Sequence, residues 1–240
     1  MLIKMNEVFD SSRLELLNEA KNFTNWLYSK YKPHIKGRIL EVSSGVGTYA
    51  LKILKDFPKN DLTLTEYSEE DVNELKIRLK NEKIRCKKLD MNKKIDFEKI
   101  DEEKFDTIIC SNVLEHIEND DFALAECYKI LNKKGKLILV VPQNPKLYSN
   151  QDKALRHYRR YSRSELIRKI EKNGFKIISL KNFNNLGILG WKMNKNSNKT
   201  ENNPKLIKIF NIIIPLIKTI DDSISAKFSG LSLIVILEKN

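Results

Sequence analysis

The stretch Ile39-Leu40-Glu41-Val42-Ser43-Ser44-Gly45-Val46-Gly47-Thr48-Tyr49-Ala50 decides the fold. Its first four residues read as a short strand, two glycines break it, and the residues after Gly47 have helical spacing, which is the first step of a doubly wound α/β sheet. Glycine at such a turn lets a ligand approach the backbone, and the helix that opens behind it offers unpaired N–H groups. Gly45-x-Gly47-x-x-Ala50, with Glu66 nineteen residues after Gly47, also satisfies the dinucleotide fingerprint. Glu41 argues against that reading. A carboxylate at the strand end repels a pyrophosphate, whereas it suits a ligand with a cationic amine and sulfonium and no phosphate.

Outward from this stretch the alternation continues. Arg38–Val42, Asp61–Glu66, Lys83–Leu89, Phe105–Cys110, Lys136–Val141 and Phe175–Leu180 read as strands, and Leu231–Leu237 as a last buried one. Helices are expected near 46–57, 69–81, 119–132 and 164–173, the last opened by the capping box Ser162-Arg-Ser-Glu165 and closed by Gly174. Strands that are nearly all apolar, separated by helices, predict a parallel sheet covered on both faces. Ahead of it, Asp10 to Lys30 spaces Leu14, Leu17, Ala20, Phe23, Trp26 and Leu27 as an amphipathic helix that Pro33 ends. Asn184 to Asn203 has no clean period and is expected to be a loop or mobile insertion. Leu206 to Ile220 is apolar but interrupted by Lys208, Pro215 and Lys218, too short to span a bilayer, which needs about 20 apolar residues.

The 240 residues, 41% hydrophobic and 32% charged, exclude disordered and low-complexity classes. Cys86, Cys110 and Cys127 lack CxxC spacing and read as small buried apolar residues. They argue against a disulfide framework or a zinc site; no metal, and a cytoplasmic location, are the expectation. The net charge of +12 is uneven: ten cations face six anions in 1–60, eleven face eighteen in 61–121, and twenty-three face eight in 122–240. That asymmetry either points the C-terminal half at something anionic or is a solvated Lys-rich surface.

Further motifs come after the glycine turn in a fixed order. Glu66 ends the second strand in Leu62-Thr-Leu-Thr-Glu66-Tyr67-Ser, Leu89-Asp90-Met91 follows the third, and Ser111-Asn112-Val113-Leu114-Glu115-His116-Ile117 leaves the fourth, before Lys133-Lys-Gly135 turns into the fifth. Together with acidic-x-Ser43-x-Gly45-x-Gly47, this order resembles the class I S-adenosylmethionine (AdoMet) methyltransferases, of the small-molecule type, over about 38–142. Here Ser43 stands where the family has its first glycine. The resemblance implies a Rossmann-like seven-stranded sheet in the order 3-2-1-4-5-7-6 with the last strand antiparallel. It implies AdoMet as cofactor, leaving as S-adenosylhomocysteine, held by Glu41, Ser43, Gly45, Gly47, Glu66, Tyr67, Asp90, Met91, Asn112 and Val113. Glu66 would take both ribose hydroxyls, since a carboxylate has two acceptor oxygens, and Asp90 the adenine amine.

Residues 141–162, with Gly174-Phe175, Asn182-Phe183, Gly190-Trp191 and Gly230-Leu-Ser-Leu, are similar to a narrower group of these enzymes, often encoded beside surface-glycan or polyprenol glycosyltransferases. The acceptor implied is a small molecule, glycan or polyprenol-linked glycolipid. Tyr148, Arg156, Tyr158, Arg159, Arg160 and Tyr161 could bind phosphate and stack sugars, or the arginines could pair with the acidic segment of the same chain. His116 and His157 are the candidate bases, because a neutral imidazole accepts a proton near neutral pH. Nucleic-acid methylation is the runner-up, motivated by the pI of about 9.4 and the Arg-Tyr cluster; against it, no Pro-Pro-aromatic signature follows the fourth strand, and no cysteine follows a strand as in enzymes that attack pyrimidine C5. A third reading is an inactive methyltransferase fold at a membrane surface, with peripheral contact through 205–220 at the inner face. The organisation expected is one domain: a helical cap at 1–37, a cofactor half at 38–142, and an acceptor half at 143–240 with a lid at 184–225. The oligomeric state is left open.

Overall fold

A computed structural model describes residues 20–80, 82, 84–101, 104–194, 204–224 and 229–240. The strands are β1 (Ile39–Val42), β2 (Leu62–Glu66), β3 (Arg85–Lys88), β4 (Phe105–Ser111), β5 (Leu131–Pro142), β6 (Phe175–Phe183) and β7 (Ser232–Lys239). The helices are α1 (Lys21–Tyr31), α2 (Thr48–Asp56), α3 (Glu69–Arg78), α4 (Lys94–Asp101), α5 (Asp120–Ile130), α6 (Asn150–Ala154), α7 (Arg163–Lys172), α8 (Gly187–Asn194) and α9 (Pro204–Ile224). One sheet forms in the order β3-β2-β1-β4-β5-β7-β6. Strands β1 to β5 pair in parallel and β7 runs antiparallel to both its neighbours, the topology that the sequence motifs imply.

Period-two alternation sorts the apolar side chains into two cores. Leu40 and Val42 of β1, Ile108 and Cys110 of β4, Leu137 and Leu139 of β5, and Leu233, Val235 and Leu237 of β7 face one side, against α4, α5 and α7. Ile39, Ile109, Ile138, Val140, Ile234 and Ile236 face the other, against α1, α2, α3 and Ile214 of α9. A strand buried on both faces cannot alternate with polar residues, which is why β1, β4 and β5 read as unbroken apolar runs. The cap sits at the second core, where Phe23 and Trp26 of α1 meet Phe183 and Phe210 with ring centroids 4.3–6.0 Å apart.

Three elements differ from the sequence reading. The expected helix 10–30 is described from Ala20 onward, as α1, and its first half lies outside the described residues. Part of the supposed loop 184–203 is helix α8, capped from afar: Asp221 of α9 is buried and accepts hydrogen bonds from the N–H groups of Asn184 and Leu186. The periodicity there is hidden because the cap lies some 35 residues downstream. Helix α4 has no counterpart in the sequence reading, because only Phe97 and Ile100 of it reach the core. Cys86 is half-buried and Cys110 and Cys127 are buried, all three free.

The end of the sheet away from the strand carboxyl termini is tied down at residues 36–38. Lys36 N–H donates to the Thr107 hydroxyl and Arg38 N–H to the Asp106 carboxylate, which also accepts from Asn132. Gly37 makes this possible with φ 60° and no Cβ, since a Cβ there would stand 2.0 Å from an Asp106 oxygen. Gly37→Ala should therefore destabilise the protein by about 2–4 kcal/mol, the sum of a left-handed alanine and an overpacked contact. Denaturant unfolding of the purified variant measures it.

Candidate active site

The order 2-1-4 places the carboxyl ends of three parallel strands side by side, with the chain turning one way after β1 and the other way after β4; such a reversal leaves a crevice. Register aligns them: Glu41 is level with Leu64 and Ile109, and Val42 with Cys110. Glu66 and Ser111 therefore both reach the level of Ser43, at the mouth of the crevice.

The glycine turn is held by hydrogen bonds on its β2 side. Ser44 N–H donates to Thr65 O at 3.0 Å, and the hydroxyls of Ser44 and Thr65 both donate to Glu41 O. Ser43, Gly45 and Gly47 all adopt positive φ, at 51°, 59° and 79°. For Ser43 this conformation costs about 1–2 kcal/mol relative to glycine. Gly47 begins α2, and a Cβ on it would come within 2.9 Å of Leu79 Cδ1. The missing Cβ thus lets the start of α2 pack against Leu79.

Four carboxylates converge on this end of the sheet. Glu41 is 3% exposed and its Oε2 has no hydrogen-bond partner. Burial pushes its pKa up to about 8, against a hydrogen bond from Ser44, and the charge of Glu66 adds to the rise. Glu66 accepts from Gly45 N–H, and burial lifts it to about 7 although that hydrogen bond opposes the shift. Asp90 is buried and its Oδ1 accepts from the backbone and side chain of Asn92, with Met91 buried beside it. Glu115, one turn beyond β4, is 1% exposed; burial raises it to about 8 against the charge of Arg160. Tyr67 is exposed. Asn112 takes φ 54° and donates its N–H to Val140 O, so the chain turns sharply away from the sheet before buried Val113. An orphaned buried carboxylate oxygen beside a positive-φ turn fits a ligand that brings its own cationic charge and hydroxyl donors.

The loop after β5 folds over the β4 exit. Tyr158 N–H donates to Glu115 O and the Tyr161 hydroxyl to Leu114 O, strapping 156–161 onto 114–116. His116 and His157 meet edge to face, 4.7 Å between ring centroids. His157 Nδ1 lies 3.0 Å from Asp152, which is fully buried and also accepts from Arg160 Nε. Burial raises the Asp152 carboxyl, but the hydrogen bonds from His157 and Arg160 outweigh it and hold it below the usual carboxylate range. The aromatic and basic residues expected to face an acceptor divide into two sets. Arg159 pairs with Asp120 and Glu118 O, Arg160 with Asp152 and Gln143 O, and buried Tyr161 with Asp120. Tyr148, Arg156 and Tyr158 are at the surface, Tyr148 bonding His157 O. A cleft of about 380 Å³ opens between Lys146–Asn150 and Trp191–Lys192, with Trp191 stacked 4.2 Å from the Arg160 guanidinium and donating to Leu147 O. Asp152 and Trp191 carry no signal of these contacts in the sequence, since their partners lie up to 44 residues away.

The raised carboxyls set the pH response of the ligand-free protein. With pKa values near 4.5 unfolded and 7–8 folded, Glu41, Glu66 and Glu115 bind more protons in the native state between these limits, so their contribution is complete below about 4.5 and is lost as pH rises through 7–8. Glu41→Gln removes one of these groups. The variant should gain stability over the parent progressively from about pH 4.5 to pH 8 and level off above it, by roughly 1–4 kcal/mol at the upper end, read as the difference in thermal midpoint at each pH.

Residues 40–137 match the family description "Methyltransferase domain". The chain is also similar in structure to a SAM-dependent methyltransferase from Archaeoglobus fulgidus, at 18% identity and TM-score 0.59, covering 92% of this chain and 94% of that one. A second likeness is to magnesium protoporphyrin IX methyltransferase from Synechocystis PCC 6803 with bound SAM, at 13% identity and TM-score 0.54, covering 98% and 86%. No curated protein sequence matches the chain. Residues 40–137 thus match a methyltransferase domain, and the chain as a whole shares the fold of these SAM-dependent methyltransferases, with its glycine turn and carboxylates at the reversal.

Proposed function

We propose that the methyl acceptor is a small molecule, glycan or lipid-linked glycan that enters through the cleft between Tyr148 and Trp191. The observation that carries this is the cleft's make-up: two aromatic rings and the lysines 146 and 192 around about 380 Å³. That volume is in the range of small-molecule sites, roughly 300–1,000 Å³, and rings with ammonium groups suit sugars and phosphates. A nucleic-acid reading is less favoured, because Arg159 and Arg160 of the basic cluster pair with Asp120 and Asp152 of the same chain. A lipid-linked acceptor is favoured by α9, whose Ile209, Ile212, Leu216 and Ile220 form an exposed apolar stripe near Lys208.

AdoMet supplies an electrophilic methyl group on a sulfonium. This chain's work is then to bind, align and exclude water, with the reacting atoms brought within about 3–3.5 Å. Glu66 would give up its bond to Gly45 N–H for the ribose hydroxyls, Asp90 would take the adenine amine, and Glu41 would meet the cationic end. If the acceptor is a hydroxyl or an ammonium, the imidazoles of His116 and His157 are at hand for its proton.

Incubation with methyl-labelled AdoMet should place label in the lipid-extractable or glycan fraction of a cell-envelope extract and none in RNA. Glu66→Ala should lower AdoMet affinity by about 2–3 kcal/mol, since the hydroxyls lose a charged acceptor, and labelling should fall in step. Label in RNA alone would sink the acceptor reading.

A further inference from the structure

Glu115, His116 and His157 stand together beside the β4 exit, each offering one ligand atom, and these atoms all lie within 4.8 Å of one another. We propose that the three bind a divalent first-row transition-metal ion whose open positions face the acceptor. The ion's role toward an acceptor rests on the reading of the cleft given above; its binding does not.

Two features beyond proximity support a built site. Glu115 is 1% exposed with Oε2 lacking any hydrogen-bond partner, and such a buried oxygen is costly unless something positive comes to it. His157 has its Nδ1 on Asp152 at 3.0 Å, while Asp152 is itself fixed by Arg160 Nε at 2.9 Å and Ser149 N–H at 2.9 Å. An imidazole that donates from Nδ1 to a buried carboxylate presents the Nε2 lone pair, the second-sphere arrangement typical of histidine metal ligands. The straps from Tyr158 N–H to Glu115 O and from Tyr161 to Leu114 O set the two ligand-bearing segments in place before any ion arrives.

With metal–ligand bonds of about 2.0–2.2 Å, ligand atoms in one shell sit roughly 3–3.5 Å apart, so closure about an ion takes side-chain rotations of an ångström or so. Two imidazoles and one carboxylate suit manganese, iron, cobalt, nickel or zinc, and three protein ligands leave positions for substrate. The missing cysteine pattern excludes a thiolate zinc site and does not bear on this one. An ion here would also change the proton's path. Ligation ties up both imidazoles, so a bound hydroxyl would lose its proton to water. Its oxygen would then form the C–O bond as the C–S bond breaks, the electron pair staying on sulfur.

Tag-free protein dialysed against chelator tests this without any acceptor. Titration with Co(II), followed by visible d–d absorption, and with Zn(II), followed by calorimetry, should show one ion per chain. Glu115→Gln and His157→Gln should each weaken binding about a hundredfold, with AdoMet still bound as evidence that the variants fold. A Co(II) spectrum that stays that of the aquo ion, or variants that bind as tightly as the parent, overturns the proposal. Binding together with label in RNA supports the ion site and refutes the acceptor reading. Envelope labelling that survives chelation supports the acceptor reading and removes the ion from the reaction.

Discussion

The reversal of strand order between β1 and β4 is the constraint on which everything else depends. It needs β1 held in parallel register to both β2 and β4, and the pin at 36–38 supplies this: Asp106 is bonded by both Arg38 N–H and Asn132, and Thr107 by Lys36 N–H. Fixing the amino ends of β1, β4 and β5 fixes their carboxyl ends too, because a four-residue strand has no slack. Slippage by one residue would turn Glu41 from the crevice into one of the two cores and bring Leu40 out. The position of one carboxylate thus rests on a glycine and two side chains at the opposite end of the sheet.

The carboxyl end of the sheet is built at an energetic loss. Glu41 and Glu115 each bury an oxygen without a partner, and Ser43 holds a conformation better suited to glycine. Folding tolerates these because the two cores flanking the sheet are continuous and closely packed around them. Glu66 shows the same logic in milder form. Its carboxylate accepts from Gly45 N–H and so satisfies the turn, yet burial still lifts its pKa to about 7. Sites that bind polar ligands commonly carry such unspent hydrogen-bonding capacity, since a fully satisfied pocket gains nothing when the ligand arrives.

How much of this could be read from the chain depends on where the partner of each residue lies. Strands β1, β4 and β5 announce themselves because burial on both faces leaves unbroken apolar runs, and the turn at Ser43–Gly47 because few residue types tolerate positive φ. Strand order is legible through motif order and the resemblance it carries, and register then puts Glu41, Glu66 and Ser111 at one level. The features that escape the sequence are long-range. The cap of α8 by Asp221 and the stacking of Trp191 on Arg160 each join residues whose local patterns say nothing of one another. Helix α4 escapes for a different reason, because with two core residues its periodicity falls below the level a pattern can show.

The basic C-terminal half illustrates why charge counted along a sequence is a poor guide to partners. Arg159 crosses to Asp120 and Glu118 O, Lys169 to Asp120, Lys172 to Asp121, and Arg160 to buried Asp152. All but the last tie the basic half to the acidic 61–121 segment, so part of the asymmetry between segments is a fold-internal complementarity. These pairs join the loop after β5 to the exit of β4, and burial makes those at Asp120 and Asp152 far less screened than surface pairs. Their consequence is chemical rather than electrostatic at long range. By anchoring Asp120 and Asp152 they hold Tyr161 and His157 in place, and His157 is thereby set edge to face on His116.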